Sequence, residues 1–232
     1  MKDRTKEILN TAISRIDREI QISSSAVVGD LTRLIVCKTL NVTKDKILVD
    51  SDGLQWLVVD FIRNERIDVI AYNHSDLFTA NAIYSPLPMF LSGTPISVND
   101  EYLEIDKRTR EKTPFIWFLS PYSEDAQGRL SAIDYTANVR LFFMEEAPNP
   151  NWLNDDHDKY AVNPMFELVA MFVDALDSLG EVNTIDAWSV IDRPRFGVEV
   201  ANKGSQGVII DDYLSGAELN ISFALQKENC KC

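Results

Sequence analysis

Apolar residues recur at helical spacing near the start of the chain. Within residues 3–22 one stripe is formed by Ile8, Leu9, Ala12, Ile13, Ile16 and Ile20. Charged residues fill most of the remaining positions, which is typical of a surface helix packed on a core. The serines at 23–25 end this predicted helix. The apolar spacing of residues 27–40 favours a second helix, although β-branched residues are frequent there.

From residue 46 the pattern changes to short runs rich in β-formers. These runs cover residues 47–49, 54–63 and 66–72, and they are separated by Asp52-Gly53 and Asn64-Glu65. Turn residues between such runs predict hairpins. The stretch 50–53 is Asp-Ser-Asp-Gly, but the further ligands and the closing Glu of a calcium loop do not follow it. We therefore expect a turn there.

Residues 73–112 show no strong periodicity. They contain Pro86, Pro88, Pro95 and Gly93. Most connections in compact domains take about 4–6 residues, so this stretch is long for a connection. The pattern predicts an irregular surface insertion near residues 73–113 that is available for contact with another molecule.

The second half of the chain has clearer strands. Residues 115–119 form a continuous apolar run between Pro114 and Pro121, which is typical of a strand buried on both faces. Residues 137–144 alternate as a second central strand. The polar stretch 123–132 between them predicts an extended hairpin tip.

A buried helix is predicted near residues 164–179. Asn163 is suited to the N-cap, Pro164 to the first helical position, and Gly180 to a left-handed end. Apolar residues surround nearly the whole axis of this helix. Such a helix needs cover from the sheet on one side and from another element or subunit on the other.

Three further strands are predicted at residues 187–191, 195–200 and 218–225, with a flexible tip at 204–207. The fold class expected is therefore α+β. A mainly antiparallel sheet packs against the N-terminal amphipathic helix and the buried helix near 164–179, with long loop insertions. Because no linker or repeat divides the chain, we expect residues 1–232 to form a single domain.

Composition and charge narrow the function classes. Hydrophobic residues make up 45% and charged residues 25%, so a folded core is expected. The excess of 36 Asp and Glu over 23 Lys and Arg gives a net charge of −13. This balance disfavours a protein whose main role is to bind nucleic acid phosphates. The sequence contains neither a leader-like segment nor an apolar run of about 18 residues, so we expect a protein made in the cytoplasm that does not enter a membrane.

The three cysteines are Cys37, Cys230 and Cys232. An odd number with two at the end of the chain does not suggest a disulfide framework. Cys37 follows an apolar run, which favours a buried thiol. Cys230 and Cys232 offer two soft ligands, but a metal site requires a second pair that the sequence lacks nearby.

Candidate chemistry is sparse. The only histidines are His74 and His157, and the sequence has no nucleophile elbow, P-loop, dinucleotide fingerprint or helical zinc pair. One cluster could hold Mn²⁺ or Mg²⁺: Asp155, Asp156, His157 and Asp158. Adjacent loop residues point in different directions, and an acidic run beside a helix start is commonly a solvated face.

The tryptophans and two arginines add structural expectations. Trp56, Trp117, Trp152 and Trp188 are scattered without basic neighbours, so a stacking platform for single strands is not indicated. Trp117 is expected in the core and Trp152 at the surface. Arg193 and Arg195 could pair with acidic residues across a subunit contact, or could form an exposed surface pair of little energetic value.

The C-terminal half resembles a known group of proteins in its order of elements. The order is an apolar strand (115–119), a strand ending in aromatics (139–144), a buried helix (164–179), then the segments RFGVEV at 195–200 and LSGAELNISF at 214–223. Over residues 114–225 this pattern resembles the neck and tail proteins of bacteriophages, in particular those of crAss-like phages that infect Bacteroidetes. It is a similarity of pattern, without a diagnostic motif.

The resemblance implies a structural virion protein of the head-to-tail joining or tail terminator type. Such a protein forms a homo-oligomeric ring, contacts portal, neck or tail proteins, and surrounds DNA that only passes through. It is assembled in the host cytoplasm and resides in the virion. The resemblance implies neither catalytic residues nor a cofactor or metal. Two alternatives stay open: a metal-dependent hydrolase that uses Asp155–Asp158, and a monomeric adaptor.

Overall fold

A computed structural model of the chain describes residues 2–39, 42–105, 113–127, 134–147, 153–196 and 213–225. Contacts within the chain divide it into two compact units. Residues 17–87 form one, here called the barrel unit, and residues 1–16 with 88–232 form the other, here called the α+β unit. The sequence pattern predicts a single domain over residues 1–232. In the structure, the barrel unit is inserted between the first helix and the rest of the α+β unit.

The barrel unit is a closed barrel of six strands in the order β1-β2-β5-β4-β3-β6. Their bounds are β1 Glu19–Val28, β2 Leu31–Val36, β3 Ile47–Asp50, β4 Gln55–Ile62, β5 Arg66–Ala71 and β6 Ala82–Tyr84. All of the neighbouring pairs are antiparallel. The buried apolar residues of this unit include Ile20, Leu34, Leu48, Trp56, Val58, Phe61, Ile67, Val69 and Ile83.

The predicted second helix at 27–40 is wrong, and the N-terminal helix is shorter than expected. Helix α1 spans Lys2–Ser14, and the chain is already extended at Glu19. Around Ile20 and in the second half of β2, burial alternates from one residue to the next, as in a strand. Ile20, Leu34 and Val36 are buried, while their neighbours in sequence are more exposed. A barrel buries alternate side chains, so residues compatible with either period adopt the strand conformation.

The hairpins predicted between residues 47 and 72 are confirmed. Strands β3 and β4 pair, as do β4 and β5. The 50–53 stretch is a turn, as expected. The Oδ1 of Asp50 accepts hydrogen bonds of 2.9 Å from the backbone N–H groups of Asp52 and Leu54. Its Oδ2 accepts a bond of 2.8 Å from the indole N–H of Trp56.

The α+β unit contains one twisted sheet and four helices in the part of the chain that the structure describes. The strands are β7 Met89–Gly93, β8 Phe115–Leu119, β9 Ser123–Gln127, β10 Asp134–Glu146, β11 Val182–Phe196 and β12 Leu214–Leu225. The helices besides α1 are α2 Pro95–Glu104, α3 Asn154–His157 and α4 Asn163–Asp177. The sheet order is β11-β12-β10-β8-β7, and β9 pairs with β10 beside β8. All these pairs are antiparallel except β7–β8. The α+β class is confirmed.

The two faces of this sheet are covered differently. Helices α1 and α4 pack on one face, where apolar residues such as Leu9, Phe172, Phe143 and Phe223 form the main core. Helix α2 covers one end of the opposite face through Val98 and Tyr102, which pack with Trp117 and Phe142. The expectation that Trp117 lies in the core is confirmed.

The segment near 73–113 is not an irregular insertion throughout. It contains β6, β7 and α2, and it crosses from the barrel unit to the α+β unit near residue 87. The prolines that obscured periodicity lie at element boundaries: Pro95 is the first residue of α2. Proline is favoured at that position because its missing N–H would have no helical partner.

Helix α4 differs from its prediction at both ends. Asn163 is not the N-cap, because α3 and a π-helical turn, Asp158–Val162, lead into the helix without a break. At the other end Ser178 is the C-cap, and Gly180 is not among the described residues with positive φ. The helical segment therefore starts about two turns earlier than the capping pattern indicated.

Cys37 is exposed, contrary to the expectation of a buried thiol. It directly follows β2, in which Leu34 and Val36 point inwards and Ile35 points outwards. Alternation then places Cys37 on the outer side. Among the described residues, no helix is both long and apolar enough to cross a membrane.

Candidate functional site: an open sheet face and its edge strand

The acidic cluster identified in the sequence does not converge on a point. Asp155, Asp156, His157 and Asp158 are successive residues of α3 and the π-helical turn. Successive helical residues point about 100° apart, so their side chains diverge. The carboxylate of Asp156 accepts a 3.0 Å hydrogen bond from the backbone N–H of Leu153 at the start of α3. Within the described ranges, no three His, Cys, Asp or Glu side chains are grouped so that they could hold a metal ion.

His157 has a structural contact instead. Its ring is buried, and Nδ1 lies 2.7 Å from the hydroxyl oxygen of Ser215 in β12. This hydrogen bond joins the helical segment before α4 to the sheet. Cys230, Cys232, the tip at 204–207 and Trp152 lie outside the described residues. Of the tip predicted at 123–132, residues 123–127 form β9, which pairs with β10, and the rest also lies outside them.

Strand β11 of the α+β unit is exposed over most of its length. It is 15 residues long and forms one edge of the sheet. It pairs with β12 on one side, and no strand in the described part of the chain pairs with its other side. The Trp188 side chain is 52% exposed and that of Ile191 is 40% exposed. A long edge strand with exposed large apolar residues is a common site of pairing with another chain.

An open groove of about 800 Å³ lies beside this edge. It follows the part of the sheet face that α2 leaves uncovered. Its lining comes from β10, β11, β12 and the β8–β9 connection, and includes Tyr122, Asn138, Arg140, Ser189, Asn220 and Ser222. The lining is mixed, because apolar residues such as Leu119, Val139, Trp188 and Ile221 lie beside these polar groups. Interfaces between proteins contain a similar mixture of apolar and polar groups.

A buried carboxylate lies on the same sheet face as the groove. Glu218 in β12 is 2% exposed. It accepts hydrogen bonds of 2.5 Å from Nε of Arg140 and 2.7 Å from Nε of Arg193. The Nδ2 of Asn220 donates a further bond of 3.2 Å to it. Burial alone would raise the pKa of Glu218, but these bonds outweigh burial and hold its pKa below the ordinary value.

The sequence left two interpretations of Arg193 open: a pair across a subunit contact, or an exposed surface pair of little energetic value. In the structure Arg193 pairs instead with the buried Glu218 of its own chain. Arg140 adds a stacking contact, because its guanidinium lies 5.0 Å from the ring centre of Phe142. Phe142 in turn packs on Trp117 and Phe196. The cluster therefore holds β10, β11 and β12 in one fixed register.

Sequence reasoning missed that β11 is a single long edge strand. It predicted two shorter strands at 187–191 and 195–200, because Pro194 interrupts the run. In the structure β11 continues to Phe196 with a register shift between Arg193 and Phe196. Proline is tolerated in edge strands and at bulges. Pro194 within a strand pattern was therefore the feature of the sequence that could have indicated an edge strand.

No protein-family model matches the chain, and no significant match was found among curated proteins or among solved structures.

Proposed function

We propose that this chain is a structural subunit that assembles with copies of itself into a ring in the neck or tail of a bacteriophage. The observation that carries the proposal is β11, a 15-residue edge strand whose exposed side chains include Trp188 and Ile191. The order of elements over residues 114–225 supports the phage assignment. In that setting the partners are portal, neck or tail proteins, and the site of action is the virion.

The clustered charges of the α+β unit fit a structural role. Arg140, Arg193 and Glu218 bond to one another across three strands. These bonds within the chain stiffen the sheet face. The outer edge of β11 is then the part that is open to contact with another chain. Because β11 is fixed by these bonds, it presents a rigid strand to a neighbour, which lowers the entropic cost of association.

The net charge supports a conduit for DNA. A wall with excess carboxylates repels phosphates and lets a duplex slide past without binding. The chain has a formal charge of −13, so a ring of many copies is strongly acidic. An image of the ring with a lumen lined by Lys and Arg would contradict this part of the proposal.

The alternatives gain no specific support from the geometry. For a hydrolase that uses Asp155–Asp158, the side chains diverge. Asp156 is bonded to the backbone at the start of α3, and His157 is bonded to Ser215 in β12. For a monomeric adaptor, the long exposed edge of β11 would have to stay unpaired in solution, which is a liability for a strand of this length.

The proposal is tested by size-exclusion chromatography with light scattering, followed by negative-stain electron microscopy. The expected result is a ring-shaped oligomer, formed by the chain alone or beside co-expressed neck and tail proteins. Mass spectrometry of purified phage particles should detect the chain. A monomer under all of these conditions, or absence from the particles, would overturn the proposal.

A further inference from the structure

The barrel closes only on the first part of β1. Strand β1 pairs with β6 over Glu19–Gln21, and the N–H of Ile22 donates a 3.0 Å bond to the carbonyl oxygen of Asn81. The register with β2 shifts between Ile22 and Ser24, which marks a bulge. Beyond it, Ser23–Val28 has β2 on one side, and no strand of the described chain pairs with the other side. A second open edge therefore lies in the barrel unit.

This second edge is uncovered on both of its faces. Every residue from Ser23 to Asp30 is exposed, and the side chain of Val27 is 66% exposed. Side chains of a strand alternate between faces, so exposure of consecutive residues means that neither face is packed. The stretch Ser23–Val28 has no proline, lysine or other charged residue. It thus lacks the proline and charged side chains that often prevent an edge from pairing with another chain.

The open part of β11 has a similar length and character. Register shifts at Ile185/Ala187 and at Arg193/Phe196 bound the regular segment. Within it, residues 187–191 have the sequence AWSVI and contain no charge or proline. Five uncharged residues on β11 and six on β1 are enough for a continuous ladder of backbone hydrogen bonds. The other end strands of the sheet, β7 and β9, have five residues each. No residue of β7 is exposed, and β9 carries Glu124 and Asp125.

We propose that the β1 edge of one copy pairs with the β11 edge of the next copy, so that a sheet runs continuously across the subunit contact. This inference rests on the proposed function and names the two surfaces that make the ring. The two edges are different, so the contact is head-to-tail, and a head-to-tail contact closes into a ring when its rotation allows. Pairing of like edges would stop at a dimer. The small side chains of Ser24, Ser25 and Ala26 leave room for Trp188 of the neighbour.

The test blocks each edge separately with proline. In an antiparallel strand, alternate residues direct their N–H groups outwards, so one of two neighbouring residues tolerates proline without losing an internal bond. On β1 the two neighbouring positions are tested by Ser24→Pro and Ser25→Pro, so that one of them replaces an outward N–H. On β11 the corresponding pair is Ser189→Pro and Val190→Pro. The variant of each pair that keeps the wild-type circular dichroism spectrum is used. The alanine substitutions at the same serines, Ser24→Ala, Ser25→Ala and Ser189→Ala, are the matched controls.

Mixing the two variants distinguishes the possible contacts. Under conditions in which the wild-type chain forms rings, each proline variant alone should be monomeric in sedimentation velocity. A mixture of the β1 variant and the β11 variant retains one intact edge on each partner, so it should form a 1:1 dimer and no larger species. The alanine controls should form rings. If both prolines of a pair unfold the protein, Ala26→Lys and Ser189→Lys serve the same purpose.

Three results would overturn the inference. Rings formed by either blocked variant alone would show that its edge is not used. A dimer formed by one variant alone would show that like edges pair. A mixture that stays monomeric would show that the two edges do not pair with each other. In all three cases wild-type rings would leave the proposed function intact, whereas a wild-type chain that never assembles would overturn both.

Discussion

The carboxylate of Glu218 in β12 accepts a hydrogen bond of 2.5 Å from Nε of Arg140 in the adjacent strand β10. The pair lies on the sheet face opposite α1 and α4, and Arg193 of β11 completes it from the other side. One buried acid thus joins the three strands that carry the open edge.

Replacing this acid should weaken the α+β unit. In Glu218→Gln the amide oxygen can accept from only one of the two guanidinium groups, and the NH₂ group then faces the other. Leaving buried polar partners unsatisfied costs about 1–3 kcal/mol, and we expect a loss of free energy of unfolding in that range. Urea denaturation measures it. Asp192→Asn, on the exposed side of β11, is the control and should change stability by less than about 0.5 kcal/mol.

The stability of both units should fall in acid. The pKa of Glu218 lies below its ordinary value of 4.5, and the pKa of Asp68 in the barrel unit lies below 3.8, chiefly through its hydrogen bond from Arg33. A lowered folded-state pKa means that the unfolded chain binds more protons in this range. The stability that each carboxylate contributes is complete at a pH above its ordinary pKa, and it is lost as the pH falls through its folded-state pKa.

The pH effect can be assigned with the same variant. Urea midpoints measured from about pH 7 down to about pH 3 should fall for the wild-type chain, and the difference between wild type and Glu218→Gln should narrow as the pH decreases. A difference that stays constant over this range would show that Glu218 is not the titrating group.

The close approach of β10 and β12 can be tested at Gly216. A Cβ added there would lie 1.9 Å from the carbonyl oxygen of Phe143. Two paired backbones would have to separate, so we expect Gly216→Ala to destabilise the protein by about 3 kcal/mol. Gly180→Ala is the control: nothing lies within 4 Å of its Cβ, and it should be neutral or slightly stabilising. Equal thermal midpoints for the two variants would contradict the packing described.

The exposed tryptophan of the edge strand should matter for assembly and not for folding. Trp188 is half-exposed, so Trp188→Ala should change the free energy of unfolding of the monomer by less than about 1 kcal/mol. The same variant should raise the concentration needed for ring formation at least about tenfold, because aromatic anchors dominate interface energies. Ile96→Ala, at an exposed apolar position on α2, is the matched control and should assemble normally. Light scattering over a dilution series compares them.

Sequence reasoning predicted the elements whose burial follows from local pattern alone. Strand β8 is apolar at every position and β10 alternates over most of its length, so both were located correctly. The prediction was wrong where the spacing of apolar residues fits both a helix and a strand. Residues 27–40 have apolar spacing close to that of a helix, but in the barrel β2 pairs with β1 on one side and with β5 on the other. Strand β5 is distant in sequence, so local spacing does not reveal this pairing.

The candidate site was predictable only in part. Arg193 and the strand at 218–225 were both noted, but nothing local indicates that Arg193, Arg140 and Glu218 meet, since their positions are separated by up to 78 residues. The acidic run at Asp155–Asp158 was visible, yet its helical conformation, which separates the side chains, depends on continuation into α4.

By itself the sequence determined the α+β class, the hairpins of residues 47–72, the apolar strands, the buried helix and the acidic charge, because each depends on composition or on neighbours a few residues away. The tertiary structure alone decided that residues 17–87 form a closed barrel and that Ser23–Val28 and β11 are left as open edges. A strand is an edge when no other strand pairs with one of its sides. Whether a strand pairs depends on contacts between residues that are distant in sequence.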